Sequence, residues 1–471
     1  MTGKISINIT KKTGWAGGLE FKLAFAPEKI TVETPGKEVG DIRYNPTDKT
    51  CTVSLGKREK VNLEAVRRAG GAIAKWSSKN DLKEVGIDLS SLPENSALVE
   101  PSTGALVEGL ILGSYAFEKY KTSPQNSVCR VHLLAAKESK ILKSEVERAV
   151  ITCEAVNLSR EWAHEPPNII NPVSLTERVK KLAVEAGLKF RVLDDKQLEK
   201  MGAGAIVAVG KGSATPSRLI VLEYPGKTQA KPVVLVGKSI TFDTGGYSIK
   251  PGDSMVGMKY DKSGGMTVIA TLVAAARLGL KKPLVGIIAA AENMISGGAY
   301  RPNDIVKAMN GKTIEVISAD AEGRLVLCDA LGYAQKQYKP QAMIDLATLT
   351  GGVVVALGSI RAGIMANNDS LVEALAASGE KTYERLWRLP LDDEYFDFIK
   401  GDDSDLKNIG VRKATAITGG IFLKQFVSED IPWAHIDIAG VADTDKDLPY
   451  CPKGATGFGV RLLTDYLRTL E

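Results

Sequence analysis

The sequence predicts an α/β protein of two or three domains, and three observations carry that reading. At 471 residues the chain is longer than one ordinary hydrophobic core accommodates. From about residue 165 onward, unalternating apolar runs of strand length recur with helical patterns between them. That texture indicates a mainly parallel mixed sheet flanked by helices on both faces. Before it, KSEVERAVITCEAVNLSREWAHE is apolar at helical spacing and stops at Pro166-Pro167-Asn168, a strong breaker. The expected organisation is an N-terminal α/β domain over 1–140, a connecting helix over 141–165 and a second, larger domain over 166–471.

In the N-terminal part, KISINIT, KTCTVSLG and LKEVGIDLS read as short strands and VNLEAVRRAGGAIAKW as a helix. GALVEGLILGSYAFEKY also reads as helical, with small residues suited to close packing. Further on, the strand-length runs are RLIVLEY, KPVVLVG, KPLVGIIAAAE, TIEVIS, QAMIDLATL and WAHIDIAG. GGMTVIATLVAAARLGL and LVLCDALGYAQKQY supply helices between them, and FGVRLLTDYLRTLE an amphipathic closing helix.

Composition narrows the function classes. Apolar residues make up 44% of the chain and charged residues 25%, the profile of a soluble globular protein. No stretch approaches the roughly 20 apolar residues of a membrane span. The formal charge of +5 is dispersed among acids, with no basic stripe to mark a nucleic-acid partner. Cys51, Cys129, Cys153, Cys328 and Cys451 are scattered, and MTGKISINITKKTGW lacks the apolar region of a signal peptide. A reducing, cytoplasmic address is expected. With only His132, His164 and His435, far apart, any metal site must rely mostly on other ligands.

In parallel sheets, sites form at the carboxyl ends of strands, and four of the apolar runs end in polar loops. VVLVG is followed by Lys238, Asp243, Gly245-Gly246 and Lys250, with Asp261 further on. TIEVIS leads to Asp320, Glu322 and Arg324, VGIIAAA to Glu292, and MIDLA to Thr348-Leu349-Thr350-Gly351-Gly352. In extended chain, Asp320 and Glu322 aim their carboxylates the same way. Four carboxylates in one cleft repel one another. Two divalent cations roughly 3.5–4 Å apart relieve that repulsion and form a hydrolytic device. Lysine becomes a ligand once an adjacent dication drives off its proton. The same residues also fit solvated loop charges, or acids favourably placed at a helix N-terminus. Residue chemistry by itself leaves both readings open.

At these positions the sequence resembles the leucyl aminopeptidase (cytosol aminopeptidase) family. The matching stretches are VGKSITFDTGGYSIKP (236–251), MKYD (258–261), ADAEGRLVLCDAL (319–331), ATLTGG (347–352) and WAHIDIAG (433–440), in the family's order. NIINP (168–172), ENMISGGAYRPNDI (292–305) and KGATGFGV (453–460) agree as well. The resemblance implies a catalytic second domain that removes the N-terminal residue from peptides with a free α-amine, using a metal-bridged hydroxide. It implies two divalent ions per subunit, with Asp243 and Glu322 contacting both, Lys238 and Asp261 one, and Asp320 the other. Zinc, manganese, magnesium and cobalt all suit such donors. Lys250 would polarise the scissile carbonyl and stabilise its oxyanion, and Arg324 would hold a bicarbonate acting as general base. Thr348, Leu349, Gly351 and Ala439 would line the pocket for the N-terminal side chain. The family forms hexamers, so the N-terminal domain is expected to serve assembly or regulation. Some relatives also bind DNA as architectural proteins, which makes a DNA-binding or scaffolding role the alternative function.

Two departures touch the pocket, because Lys262 and Ala442 stand where methionines often line it. Lys262 permits two expectations: a roomier, more polar pocket, or a packed stem whose amine reaches water. Ser318-Ala319 replaces a frequent Asn-Thr outside the ligand set. His435 and Cys328 are expected to be structural. His164 and Glu165 lack zincin spacing, and Gly246-Tyr247-Ser248-Ile249-Lys250 lacks the second glycine of a nucleophile elbow.

Overall fold

The computed structural model describes residues 5–15, 17–27, 34–92, 99–124 and 129–471. The chain divides into two compact units, one of residues 1–157 with 445–454 and one of 158–444 with 455–471. The linear division at 140 and 165 does not contain the return of 445–454 to the first unit. The boundary after Asn157 falls inside the long helix Lys140–His164.

The first unit is built on a six-stranded sheet. Its strands are β1 (Ile5–Lys11), β2 (Leu19–Ala24), β3 (Ile42–Asn45), β4 (Thr50–Ser54), β5 (Glu84–Asp88) and β6 (Cys129–Ala135), in the order β1-β6-β5-β2-β4-β3. All neighbours are parallel except β3 with β4. The helices Leu63–Lys79 and Val99–Gly113 meet through glycines. A Cβ on Gly109 would lie 1.9 Å from the Arg67 carbonyl oxygen, and one on Gly70 2.4 Å from that of Leu106. The small residues in GALVEGLILG thus permit the close approach. The second helix stops at Gly113, short of the 104–120 stretch expected, and the Ser114 hydroxyl then donates to the Ile111 carbonyl. Glycine at the break and a hydroxyl competing for helix carbonyls both favour termination there.

The second unit carries an eight-stranded sheet in the order β15-β14-β17-β13-β9-β10-β8-β7. Its members are β7 (Lys189–Asp194), β8 (Arg218–Tyr224), β9 (Val233–Asp243), β10 (Leu284–Asn293), β13 (Ala342–Ala347), β14 (Ala362–Ala366), β15 (Leu386–Arg388) and β17 (Trp433–Asp437). A separate three-stranded sheet is formed by β11 (Ile305–Lys307), β12 (Thr313–Glu315) and β16 (Leu406–Lys407). The large sheet is mixed: β17, β13, β9 and β10 run parallel at its centre, and β7, β8 and β14 introduce antiparallel pairings. The apolar run of β9 is buried on both faces. Val233 and Leu235 join one core with the helix Ser263–Leu278, while Val234 and Val236 join another with the helix Gly323–Tyr338. That double coverage is the physical reason the run does not alternate.

TIEVIS differs from expectation. Only Thr313–Glu315 is strand, and it lies in the small sheet rather than the large one. Beyond it, the backbone amides of Ile317 and Ser318 donate to the side chain of Asn408 instead of to a neighbouring strand.

Glycines set the spacing at the sheet centre. A Cβ on Gly237 of β9 would lie 2.6 Å from the Cα of Gly265, and one on Gly264 2.2 Å from the Leu346 carbonyl oxygen. Gly264→Ala is therefore expected to destabilise the protein by at least about 1–3 kcal/mol, read from the denaturant midpoint. Gly297→Ala, with nothing within 4 Å of the added carbon, should leave the midpoint nearly unchanged. Equal behaviour of the two variants would refute the packing assignment.

Candidate metal centre

The parallel strands β9, β10, β13 and β17 present their carboxyl ends at one edge of the sheet, and the predicted polar residues gather there. Lys238 lies inside β9 and is 3% exposed. Its ammonium has three acceptors: Asp261 Oδ1 at 2.8 Å, Glu322 Oε1 at 2.9 Å and the Thr348 carbonyl at 2.7 Å. These exhaust its three donors. Gly323 makes room for the stem, since a Cβ there would lie 2.6 Å from Lys238 Cε. Lys250 completes a second pairing, 2.9 Å from Asp243 Oδ2 and 2.5 Å from Asp320 Oδ1.

Burial opposes the charge on both lysines, but the surrounding carboxylates outweigh it and hold the two amines above their ordinary range. The acids divide. Burial and mutual repulsion raise Asp243, Asp261 and Asp320 despite the lysines, whereas Glu322, also penalised by burial, is held down by Lys238 and Lys250. Four carboxylates, three of them buried, face two lysines and leave an excess of acidic groups at the site. Oxygens of Asp243, Asp320 and Glu322 lie within 4.8 Å of one another. Asp261 Oδ2 is buried with no hydrogen-bond partner. Excess acidic groups, converging oxygens and a buried carboxylate oxygen with nothing to bond all suit divalent cations.

Asp320 and Glu322 converge for a different reason from the one extended chain would supply. Residues 319–320 form a turn, and Glu322 already has helical dihedrals (φ −77°, ψ −33°) at the start of the helix Gly323–Tyr338. Arg324, in the first turn of that helix, is buried. Its Nη1 donates to the Asn408 carbonyl at 2.8 Å, while its Nε has no partner. Burial lowers its guanidinium to about 10, against the pull of Glu322 and Asp437.

The loop after β13 closes the site. Thr348 Oγ1 donates to Asp261 Oδ1 at 2.6 Å. Asp437, fully buried at the end of β17, accepts from the amides of Leu349 (3.0 Å) and Ala439 (3.1 Å) and from Thr350 Oγ1 (2.6 Å). Thr348, Leu349 and Ala439 are thereby brought together. Gly351 opens the helix Gly351–Leu357 on the exposed side, and Ala442 is buried, its carbonyl accepting from Thr456. Lys262 lies where neither expectation put its amine. It is 0% exposed, and Nζ donates to the main-chain carbonyls of Glu165 (2.9 Å) and Lys259. The amine therefore serves the junction with the end of the helix Lys140–His164 and does not reach water.

Glu292, grouped with the cluster in the sequence, turns away from it and accepts from Ser213 Oγ at 2.5 Å. Its neighbour Asn293 faces the cluster instead, donating to Asp243 Oδ1 at 2.8 Å. A register shift between Ala291 and Asn293 re-aims the strand end. Asn408, Tyr300, Asp345 and Asp437 also escaped the sequence reading. The signal for Asp437 was a lone acid inside the apolar run WAHIDIAG; for Asn408 there was none.

His435 and Cys328 are both buried, and the expected satisfied histidine has one ring nitrogen, Nε2, without a hydrogen-bond partner. Cys328 is buried, and burial raises its thiol well above the ordinary value. Asp345 links His435 Nδ1 (2.6 Å) to Trp433 Nε1 (2.8 Å), all three fully buried. Burial lowers His435, but Asp345, aided by Asp437 and opposed by Arg324, raises it above the usual histidine value. Asp345→Asn is expected to cost about 3–5 kcal/mol near neutral pH, read by chemical denaturation. A raised folded pKa contributes stability that is full below the unfolded value of about 6.5 and is lost as pH rises through the folded value. The gap between wild type and variant should therefore be widest below about pH 6.5 and narrow as pH rises through the folded value. A gap that stays flat or widens would refute the charged pairing.

Comparison with known proteins gives the family. Residues 157–464 match the catalytic domain of the cytosol aminopeptidase family, and residues 40–124 its N-terminal domain. A probable cytosol aminopeptidase of Geobacter sp. (strain M21) is 45% identical, over 90% of this chain and 86% of the relative. One from Aquifex aeolicus (strain VF5) is 43% identical, over 92% and 88%. Among solved structures, the bottromycin maturation enzyme BotP in complex with Mn superposes with a TM-score of 0.89 at 30% identity, covering 97% of this chain and all of that one. The chain belongs to the cytosol aminopeptidase family and is, as such, a metal-dependent hydrolase of the aminopeptidase class.

Proposed function

We propose that the cluster around Lys238 is a two-cation centre that removes the N-terminal residue from peptides with a free α-amine. The observation that carries this reading is the convergence of Lys238, Asp243, Asp261, Asp320 and Glu322, with the unbonded Asp261 Oδ2 among them. Those five side chains would hold two divalent ions, manganese or zinc foremost, with magnesium and cobalt also suited to the donors. The ions supply Lewis acidity, polarising a carbonyl and making water more acidic.

The chain's own residues divide the remaining work. Side chains of Lys238, Asp261 and Glu322 are at most 7% exposed, whereas Lys250 is 16% and Asp320 35% exposed. Substrate therefore approaches from the Lys250 side, where a fixed ammonium stabilises the charge that develops on the scissile carbonyl oxygen. Arg324, with an unpartnered buried Nε, suits a small anion. Bicarbonate held there would serve as the proton acceptor. Thr348, Leu349, Gly351, Ala439 and Ala442 line the pocket for the N-terminal side chain, with Lys262 beside it. Family resemblance further supports a hexamer in which the first unit serves assembly. Among the described residues no helix is long and apolar enough to cross a membrane.

Chelation should abolish turnover of an N-terminal leucine anilide, and adding back manganese, zinc, cobalt or magnesium singly should restore it. Each restoring ion should also raise the melting temperature. Full activity after chelation, or none with any ion, would sink the reading. Because the Lys262 amine is engaged by main-chain carbonyls, Lys262→Met is expected to leave the relative turnover of Leu-, Met-, Glu- and Arg-anilides unchanged. A selective loss of Glu-anilide turnover would instead put the amine in the pocket.

A further inference from the structure

We propose that Asn293 is a positioning residue of this centre, whose side-chain amide decides which oxygen Asp243 presents to the ions; the inference rests on the two-cation reading. Asn293 ends β10 as the register partner of Asp243 on β9, just past the shift that follows Ala291. Its side chain is 0% exposed. Nδ2 donates to Asp243 Oδ1 at 2.8 Å and to the Ala319 carbonyl at 3.0 Å. The Asn293 main-chain carbonyl accepts from the Thr244 amide at 3.0 Å and from Thr244 Oγ1 at 2.9 Å. One residue thus joins Asp243, the turn that follows it and the peptide leading into Asp320. Since both side-chain partners are acceptors, the amide nitrogen must face them, which fixes the orientation of the group.

The consequence lies in how Asp243 is shared out. Its Oδ1 receives two neutral donors, Asn293 Nδ2 and the Gly245 amide at 2.9 Å, while Oδ2 faces Lys250 at 2.9 Å. Oδ1 is held within the fold, and Oδ2 is the oxygen left toward the cluster. The terminal torsion of an aspartate is broad. Without Nδ2, the Gly245 amide alone would hold Oδ1, with Lys250 on Oδ2, and the carboxylate would turn more freely. The Ala319 carbonyl, by contrast, would keep the Tyr300 hydroxyl at 2.6 Å, so the loss falls mainly on Asp243. Asn293 Oδ1 is buried without a partner, and a Cβ on Gly246 would meet it at 3.0 Å. An amide with one end unpaired is a costly way to fill a core. Its bonded end points at the ligand-bearing segments. Donors behind a ligand commonly set its orientation and tune the affinity of the ion in front.

The test uses the full chain freed of metal, as wild type, Asn293→Leu (which preserves volume) and Asn293→Ala. Mn2+ and Zn2+ are titrated separately against a chromophoric chelator, with melting of the metal-free proteins followed in parallel. The expected result is folded metal-free variants whose affinity for at least one ion per subunit falls roughly ten- to hundred-fold. Affinities within about twofold of wild type would overturn the proposal, because second-layer donors act on metal affinity. Failure of both variants to fold would assign Asn293 to the core alone and also overturn it. A wild type that binds neither ion would overturn the two-cation reading itself, and the positioning role with it.

Discussion

A lysine ammonium inside the central strand of a sheet needs acceptors, and no regular strand neighbour has spare ones to give. Lys238 finds them in three separate segments: Asp261 before one helix, Glu322 at the start of another, and the carbonyl of Thr348 after β13. Each of those segments must end at the same point in space for the buried charge to be tolerated. Much of the surrounding sequence serves that requirement. Gly323 clears the stem of Lys238, and Gly237, Gly264 and Gly265 let the helix behind β9 come close enough to deliver Asp261. Apolar packing on both faces of the sheet then holds the arrangement against the electrostatic strain of its acids.

The loops around the proposed centre are tied down by polar side chains outside its set of five. Asp437 gathers the Leu349, Thr350 and Ala439 groups, and Asn408 binds the chain on both sides of Ser318. Asn293 spans from Asp243 to Ala319. These bonds, most to backbone and two between side chains, lie in buried or part-buried surroundings, where a satisfied network is stiff and a broken one is costly. A hydrolytic centre benefits from that stiffness, because oxygens fixed beforehand need no reorganisation when charge develops. The exposure gradient runs the same way: Lys238, Glu322 and Asp261 are enclosed, and Lys250 and Asp320 face the opening.

Much of the fold was legible because burial leaves a local trace. KPVVLVG and KPLVGIIAAAE lack alternation since both of their faces are covered, and the strands β9 and β10 follow. TIEVIS carried the same trace and misled. Three of its residues pair in a minor sheet, after which Asn408, some 90 positions away in sequence, takes the backbone partners. The helix expected over 104–120 ended at Gly113 because a glycine and a competing serine hydroxyl outweigh the apolar pattern that continues past them.

At the site, the residue types were legible: few histidines, clustered acids and two lysines at strand ends, which left a metal centre and solvated loop charges both open until the motifs pointed to one family. Side-chain type and spacing are local properties, and a sequence displays them directly. Direction is not local. Whether Glu292 or Asn293 faces the cluster turned on a shift of register at the end of β10. Whether the Lys262 amine meets solvent, a pocket or main chain turned on where the end of a helix a hundred residues earlier comes to lie. Asp320 and Glu322 converge through a turn that no extended-chain rule contains. Those outcomes depend on which partner is near enough to bond, and only the folded chain decides that.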